Sequence, residues 1–269
     1  GNIYIAGWQE TGVILSGDVL VSETGLKFTP FIARVDDFGD ALWAVPIIAD
    51  APFNLYGTRA VPQLYSSTEK LLFSGTYLTQ ATIGDEDVEV NGQENAYLSS
   101  LNSDGSLLWH EQMASSDDFF FIGDLYQDDE DNIYVSGYFR GNLEIKGEEV
   151  YRERHTSFVV KLNQERSLEW LYIPEVSPNG STYSVGMVMN TQGDLYISGL
   201  FYGVVDFEES QAVAAGEYGQ YILKLNDNGE QLWMEYLSDV KNVDTDGLSL
   251  DTYGNLYIAA NLGGIIDFD

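Results

Sequence analysis

The chain of 269 residues is 44% hydrophobic and holds 18 Tyr and 13 Phe, enough apolar material for a packed core and too much for a disordered segment. Against 12 Lys and Arg stand 43 Asp and Glu, a formal net charge of -31 that repels nucleic-acid phosphates and anionic lipid and argues against a polyanionic partner. Cysteine is absent, which removes disulfides, thiolate metal sites and a cysteine nucleophile, and no apolar run reaches the length of a membrane-spanning helix.

Two signatures recur in the same order about every 61 residues. The first is NIYIAG from Asn2, LLFSGTY from Leu71, NIYVSGYF from Asn132, DLYISGLF from Asp194 and NLYIAANL from Asn255. Its aromatic anchors are Tyr4, Phe73, Tyr134, Tyr196 and Tyr257, spaced by 69, 61, 62 and 61 residues. The second signature, such as FVVKLNQERSLEW, ends at Trp43, Trp109, Trp170 and Trp233, and each Trp follows its anchor by 36 to 39 residues. The two therefore belong to one structural unit, and a fixed period of this size marks a repeat architecture.

Within the unit around Tyr134 four runs rich in Val, Ile, Tyr, Phe and Leu stand out: FFFIGDLYQ, IYVSGYF, FVVKL and SLEWLYI. None has the length or three-to-four periodicity of a helix, so each reads as a strand. Turn residues separate them. Asp251 to Asn255 and Asn190 to Asp194 join first and second strands, while Gly39, Gly105 and Gly229 sit between third and fourth strands where a left-handed residue closes the turn. In the third copy Arg166 occupies that Gly position, so a differently built loop is expected there.

Four consecutive antiparallel strands per unit, in tandem, predict an all-β fold, a β-propeller of four-stranded blades. Complete blades are expected over 60–113, 118–172 and 182–237, with a partial blade at 1–47 contributing three strands and another at 243–269 contributing two. One domain is expected. The chain starts without Met inside a signature, so it reads as part of a longer protein, with other domains of that parent as further partners.

Gly7, Gly75, Gly137 and Gly199, which follow the anchors, read as sites of a bulge or of close approach between blades. The recurring Trp reads as a packing wedge between sheets. After the Gly comes a weaker signature, GVIL at Gly12, GNLEI at Gly141, GVVDF at Gly203 and GIIDF at Gly264, and then a variable stretch carrying Lys27, Lys146, Arg152 and Arg154. These insertions leave every blade at the same point, so they are expected on one face, where recognition would sit.

The string GNIYxxG, GxxDF, FVVKLN, an Asn/Asp-Gly turn and LxW resembles the bacterial SBBP propeller repeat over essentially the whole chain. The KLN-x-x-G-x-x-LW half also resembles the Trp-docking repeat of pyrroloquinoline quinone propellers and of their cofactor-free relatives in outer-membrane assembly. These resemblances imply a propeller and an extracellular or cell-surface address, with the periplasm as the alternative, and no catalytic residue.

Chemistry is sparse. A Ser-His-Asp triad needs a histidine, and only His110 and His155 exist, neither near a GxSxG elbow. Zinc and iron sites lack the His and Cys they need. No cofactor is expected; calcium is the metal that carboxylates suit, with Asp128, Asp129 and Asp131, beside Glu130, and Asp244 and Asp246 before Gly247 as candidates, although neither group matches an EF-hand loop and both fall where turns are expected. The leading expectation is a non-enzymatic module for protein or glycan recognition, adhesion or spacing. A carbohydrate-active enzyme or lectin using an axial pocket, or a periplasmic scaffold, are the alternatives.

Overall fold

The computed structural model describes residues 3–9, 13–15, 18–20, 29–49, 63–66, 70–77, 81–88, 94–208 and 210–263, and in them every regular element is a β-strand. They divide into two compact units, Gly1–Phe120 and Phe121–Asp269.

The first unit holds β1 (Ile3–Gln9), the hairpin β2 (Val13–Leu15) and β3 (Asp18–Leu20), β4 (Thr29–Val35), β5 (Ala41–Ala49), β6 (Gln63–Ser66), β7 (Lys70–Tyr77), the hairpin β8 (Ala81–Ile83) and β9 (Glu86–Val88), β10 (Glu94–Asn102) and β11 (Leu107–Ser116). Strands β1, β4 and β5 form an antiparallel sheet that β8 and β9 extend beyond β5. Strands β6, β7, β10 and β11 form a four-stranded antiparallel meander. Ile32, Val45, Ile47, Leu71, Phe73 and Tyr97 lead the core of this unit.

In the second unit β12 (Phe119–Gln127), β13 (Ile133–Ile145), β14 (Glu148–Leu162) and β15 (Leu168–Tyr172) make one meander. After the short β16 (Glu175–Val176), another runs through β17 (Ser181–Met189), β18 (Leu195–Phe207), β19 (Ser210–Leu225) and the first half of β20 (Gln231–Leu250). The second half of β20 leaves that sheet and pairs with β21 (Leu256–Gly263). Tyr134 and Val159 of one meander share a core with Leu195, Ile197, Tyr221 and Leu223 of the next, so the sheets bury apolar side chains against each other. That explains why IYVSG and FVVKL are nearly continuous apolar runs: both faces of the middle strands are covered.

One turn serves both kinds of hairpin. Asp128 Oδ1 accepts the N–H groups of Glu130 and Asn132 at 2.9 and 2.8 Å, and Asn190, Asn226 and Asp251 repeat the arrangement. An Asx residue at the first position therefore satisfies two donors that the turn would otherwise leave bare. The turn at Arg166 was expected to differ and does not. Asn163 Oδ1 caps it in the same way, and Arg166 takes the left-handed conformation itself, at φ 63. The cap and the two flanking strands fix the backbone, so the residue with the wrong intrinsic preference follows.

Two further expectations need correction. Leu72, not Phe73, stands in the anchor register, because Leu72 lies opposite Ser100 and Ser100 opposite Trp109. Phe73 points to the other face, fully buried and edge-on to Tyr97. The recurring glycines mark close approach within a sheet rather than between sheets, and Gly199 stands across from a bulge in β17 between Ser184 and Gly186. Each lies opposite an aromatic residue of the adjoining strand in its own sheet: Gly7 and Phe31, Gly75 and Tyr97, Gly137 and Phe158, Gly199 and Tyr221. A Cβ on Gly137 would collide with the Phe121 carbonyl oxygen of β12 and stand 2.9 Å from the Phe158 ring, so backbone on one side and the ring on the other close in the glycine.

The insertions continue the second strand and open the third. GNLEI and GVVDF are the distal parts of β13 and β18, and the returning strands are the first parts of β14 and β19. Leu143, Ile145, Val205 and Phe207 are buried, so one face of each arm belongs to the core and only the other faces outward. Lys27 and the run from Gly264 lie outside the described residues.

Candidate functional site

Each of three sheets carries a lateral row of Tyr, cation and Trp across its second, third and fourth strands. The pairing registers give Tyr4–Arg34–Trp43, Tyr134–Lys161–Trp170 and Tyr196–Lys224–Trp233. An extra residue at Leu42, Glu169 and Leu232 bulges the fourth strand just before each Trp and sets this register, which is the physical content of LxW. Two rows receive the third-to-fourth-strand turn of the following sheet. Trp43 donates its indole N–H to Ser103 O at 2.9 Å and fills the space where a Gly105 Cβ would stand. Trp170 donates to Asp227 O at 2.9 Å and covers Gly229 in the same manner.

The cation supports the same contact. Arg34 Nη1 bonds Ser103 O at 2.6 Å, and Lys161 Nζ bonds the Asp227 carboxylate at 2.7 Å. The Tyr134 hydroxyl donates to that carboxylate as well, at 2.7 Å. Burial alone would pull Lys161 down, but its bonds to Asp227 and Glu169 hold it above the usual lysine value; burial would raise Asp227, but its bonds to Lys161 and the Tyr134 hydroxyl hold it below the ordinary carboxylate range. These rows are structural machinery and match the packing role read from the recurring Trp.

At the opposite ends of the strands, where both long hairpins kink, aromatic side chains gather. The register of β13 with β14 breaks between Phe139 and Gly141, and that of β18 with β19 between Tyr202 and Gly203. Gly141 and Gly203 take φ of 89 and 73, conformations that an L side chain rarely adopts. Around these kinks Tyr183 contacts Tyr138, His155 and Tyr218 with ring centroids 5.0, 5.5 and 6.3 Å away, and Tyr218 continues to Tyr202 at 5.8 Å. Tyr202 and Tyr218 are exposed. Burial raises the Tyr183 hydroxyl above its ordinary value, and its hydrogen bond with Ser181 partly offsets this. On the neighbouring arm Arg152 pairs with Glu175 at 2.8 Å and Arg154 Nε bonds Pro178 O. Five of the 12 Lys and Arg, at 140, 146, 152, 154 and 161, thus lie on the β13–β14 hairpin of a strongly acidic chain, the first four of them on its distal part.

The calcium candidates divide. Asp128, Asp129 and Asp131 share the turn between β12 and β13, but Asp128 spends both oxygens inside it, the second on Asn132 Nδ2 at 2.8 Å, and Asp131 accepts from Gln127. Asp244 and Asp246 lie in β20, not in a turn; the register of β20 with β21 shifts on either side of Thr245, and their side chains lie outside the described residues. Among the described residues no three His, Cys, Asp or Glu converge on one point. The tyrosine cluster was missed in the sequence because its members come from four strands at unrelated spacings, and only the glycine that opens each arm marks the kinks.

No protein-family model and no curated protein matches the chain. Among solved structures it is similar to the crystal structure of a member of the DUF4221 family from Bacteroides vulgatus, with 10% identity, 96% of this chain and 92% of that chain covered, and a TM-score of 0.24. A likeness at that level carries no argument about fold or function.

Proposed function

We propose that the chain is a non-enzymatic β-propeller recognition module of a secreted or surface-exposed protein, its four-stranded sheets acting as blades and its ligand a glycan held at the kinked ends of the arms. The carrying observation is the run Tyr138, His155, Tyr183, Tyr218 and Tyr202, an aromatic series that opens to solvent at Tyr202 and Tyr218. Tyrosine rings offer a rigid apolar face with a polar tip, which suits stacking on a sugar with a hydrogen bond at its rim. Support for the propeller reading is the repeated four-stranded meander and the twice-repeated docking of a Trp onto the turn of the next sheet.

The test is an oligosaccharide array followed by titration of the hits into the protein and its Tyr218→Ala variant. The reading expects at least one class of glycan to bind and to lose roughly tenfold in affinity in the variant, as a stacking anchor should, with the melting temperature unchanged. No binding across the array, or binding indifferent to Tyr218 and Tyr202, sinks it.

A further inference from the structure

The two long arms differ in charge. Residues 203–219, in the arm of β18 and β19, include no Lys or Arg, whereas the corresponding part of β13 and β14 holds Arg140, Lys146, Arg152 and Arg154. Arg152 is paired with Glu175 at 2.8 Å, and Lys146 lies at the far tip, beside the Gly147 N–H that Glu144 accepts at 2.7 Å. Arg154 is different. It is exposed, its Nε donates to Pro178 O at 2.9 Å, and its two Nη groups have no acceptor among the described residues. A guanidinium pinned through Nε and open at both Nη presents a planar fork that matches the two oxygens of a carboxylate.

One short turn carries both this fork and the tyrosines. The Ser177 N–H donates to Val204 O, and Asn179 O would stand 2.8 Å from a Cβ on the kinked Gly203, so the turn Ser177–Gly180 is seated on the bulge of β18. Ser181, which follows the turn, lies opposite Tyr202. Pro178 inside the turn holds Arg154, and the Ser157 N–H donates to Thr182 Oγ1 at 2.8 Å, which keeps β14 alongside β17. Arg140, on the bulge of β13, adds its field at the Tyr183 hydroxyl. Resting on the glycan reading above, we propose that this site takes an oligosaccharide carrying one uronic acid: the Tyr202 and Tyr218 rings stack on a neutral sugar, and the Arg154 fork clasps the carboxylate of the sugar next to it. The rest of the protein sets the limit of one. A net charge of -31 repels a long acidic polymer, and Glu153, exposed beside Arg154, leaves the fork little surplus positive charge.

The probes are matched pairs, each a neutral oligosaccharide beside the same molecule with the primary hydroxyl of its terminal hexose oxidised to a carboxylate, together with a member sulfated at that hydroxyl and a long polyuronate. Titrated into the 269-residue protein, the carboxylate member of at least one pair is expected to bind roughly tenfold more tightly than its neutral twin, as a charge-assisted pair should. The difference should shrink as salt rises. Arg154→Gln is expected to erase it and leave the neutral twin's affinity unchanged, Arg154→Lys to keep only part of it, and Tyr218→Ala to weaken both twins alike. Equal binding of the twins, a preference that survives Arg154→Gln, or tighter binding of the sulfated member or of the polyuronate overturns the single-carboxylate proposal while the glycan reading stands. No binding by either twin of any pair overturns both.

Discussion

The Trp170 ring stands 2.7 Å from the point where a Cβ on Gly229 would lie, while Gly229 itself adopts φ 79. Two constraints meet at one residue: the turn needs a left-handed conformation, and the indole of the preceding sheet needs the bare Cα face.

The two can be separated by comparing Gly229→Ala with Gly254→Ala. Gly254 has φ 83 and nothing within 4 Å of its would-be Cβ, so alanine there carries only the conformational cost of about 1–2 kcal/mol. At Gly229 the clash with Trp170 adds about 1–3 kcal/mol more. Denaturant unfolding of the two variants should show the larger loss at Gly229; equal losses would mean that the indole does not press on the turn.

Arg166 provides the converse change. Its turn has the same cap and the same left-handed residue without a glycine. Arg166→Gly is expected to raise stability by about 1 kcal/mol, less any contact that its side chain contributes. A loss of stability in unfolding titrations would show that the side chain matters more than the strain.

Two half-buried groups give opposite pH dependences. Burial lowers His110 from 6.5 to about 4, with Ser99 Oγ held at 2.8 Å from its Nδ1. As pH falls from about 6.5 toward 4 the unfolded chain takes up this proton before the folded one, so the contribution of His110 to stability falls with pH. Burial raises Asp124 from 3.8 to about 6 even though its carboxylate accepts the N–H groups of Leu125 and Met187. Here the folded state binds the proton more tightly, so stability falls as pH rises from about 3.8 to about 6. NMR titration should place the His110 midpoint near 4 and that of Asp124 near 6; ordinary midpoints for both would remove the two effects.

Lys161 is nearly buried, yet its partners Asp227 and Glu169 keep 53% and 40% of their side chains in solvent. Water screens such a pair, so a double-mutant cycle of Lys161→Met and Asp227→Asn should give a coupling of about 1 kcal/mol or less, diminished by salt. A coupling several times larger would mean that the turn shields the pair from water.

The strands and their order were legible because the β-rich runs alternate with Asx and Gly turns at a fixed period, and both faces of the middle strands are apolar. Phe73 misled because an aromatic residue one position past the anchor register still fits a β-strand, and only the pairing of Leu72 with Ser100 tells the two faces apart. The rows Tyr–Lys–Trp were visible as separate letters, not as a row, since register between strands is a tertiary fact. The tyrosine cluster at the kinks was not legible at all. Its members meet only because bulges at Arg140 and after Tyr202 redirect the arms.

Exchange of the indole N–H protons tests the docking of one repeat on the next most directly. Five Trp give five indole signals in a heteronuclear spectrum. The N–H protons of Trp43 and Trp170 should exchange slowly, held by Ser103 O and Asp227 O, while that of Trp233, 38% exposed, exchanges fast. A Trp170 proton that exchanges as fast as that of Trp233 would contradict the account.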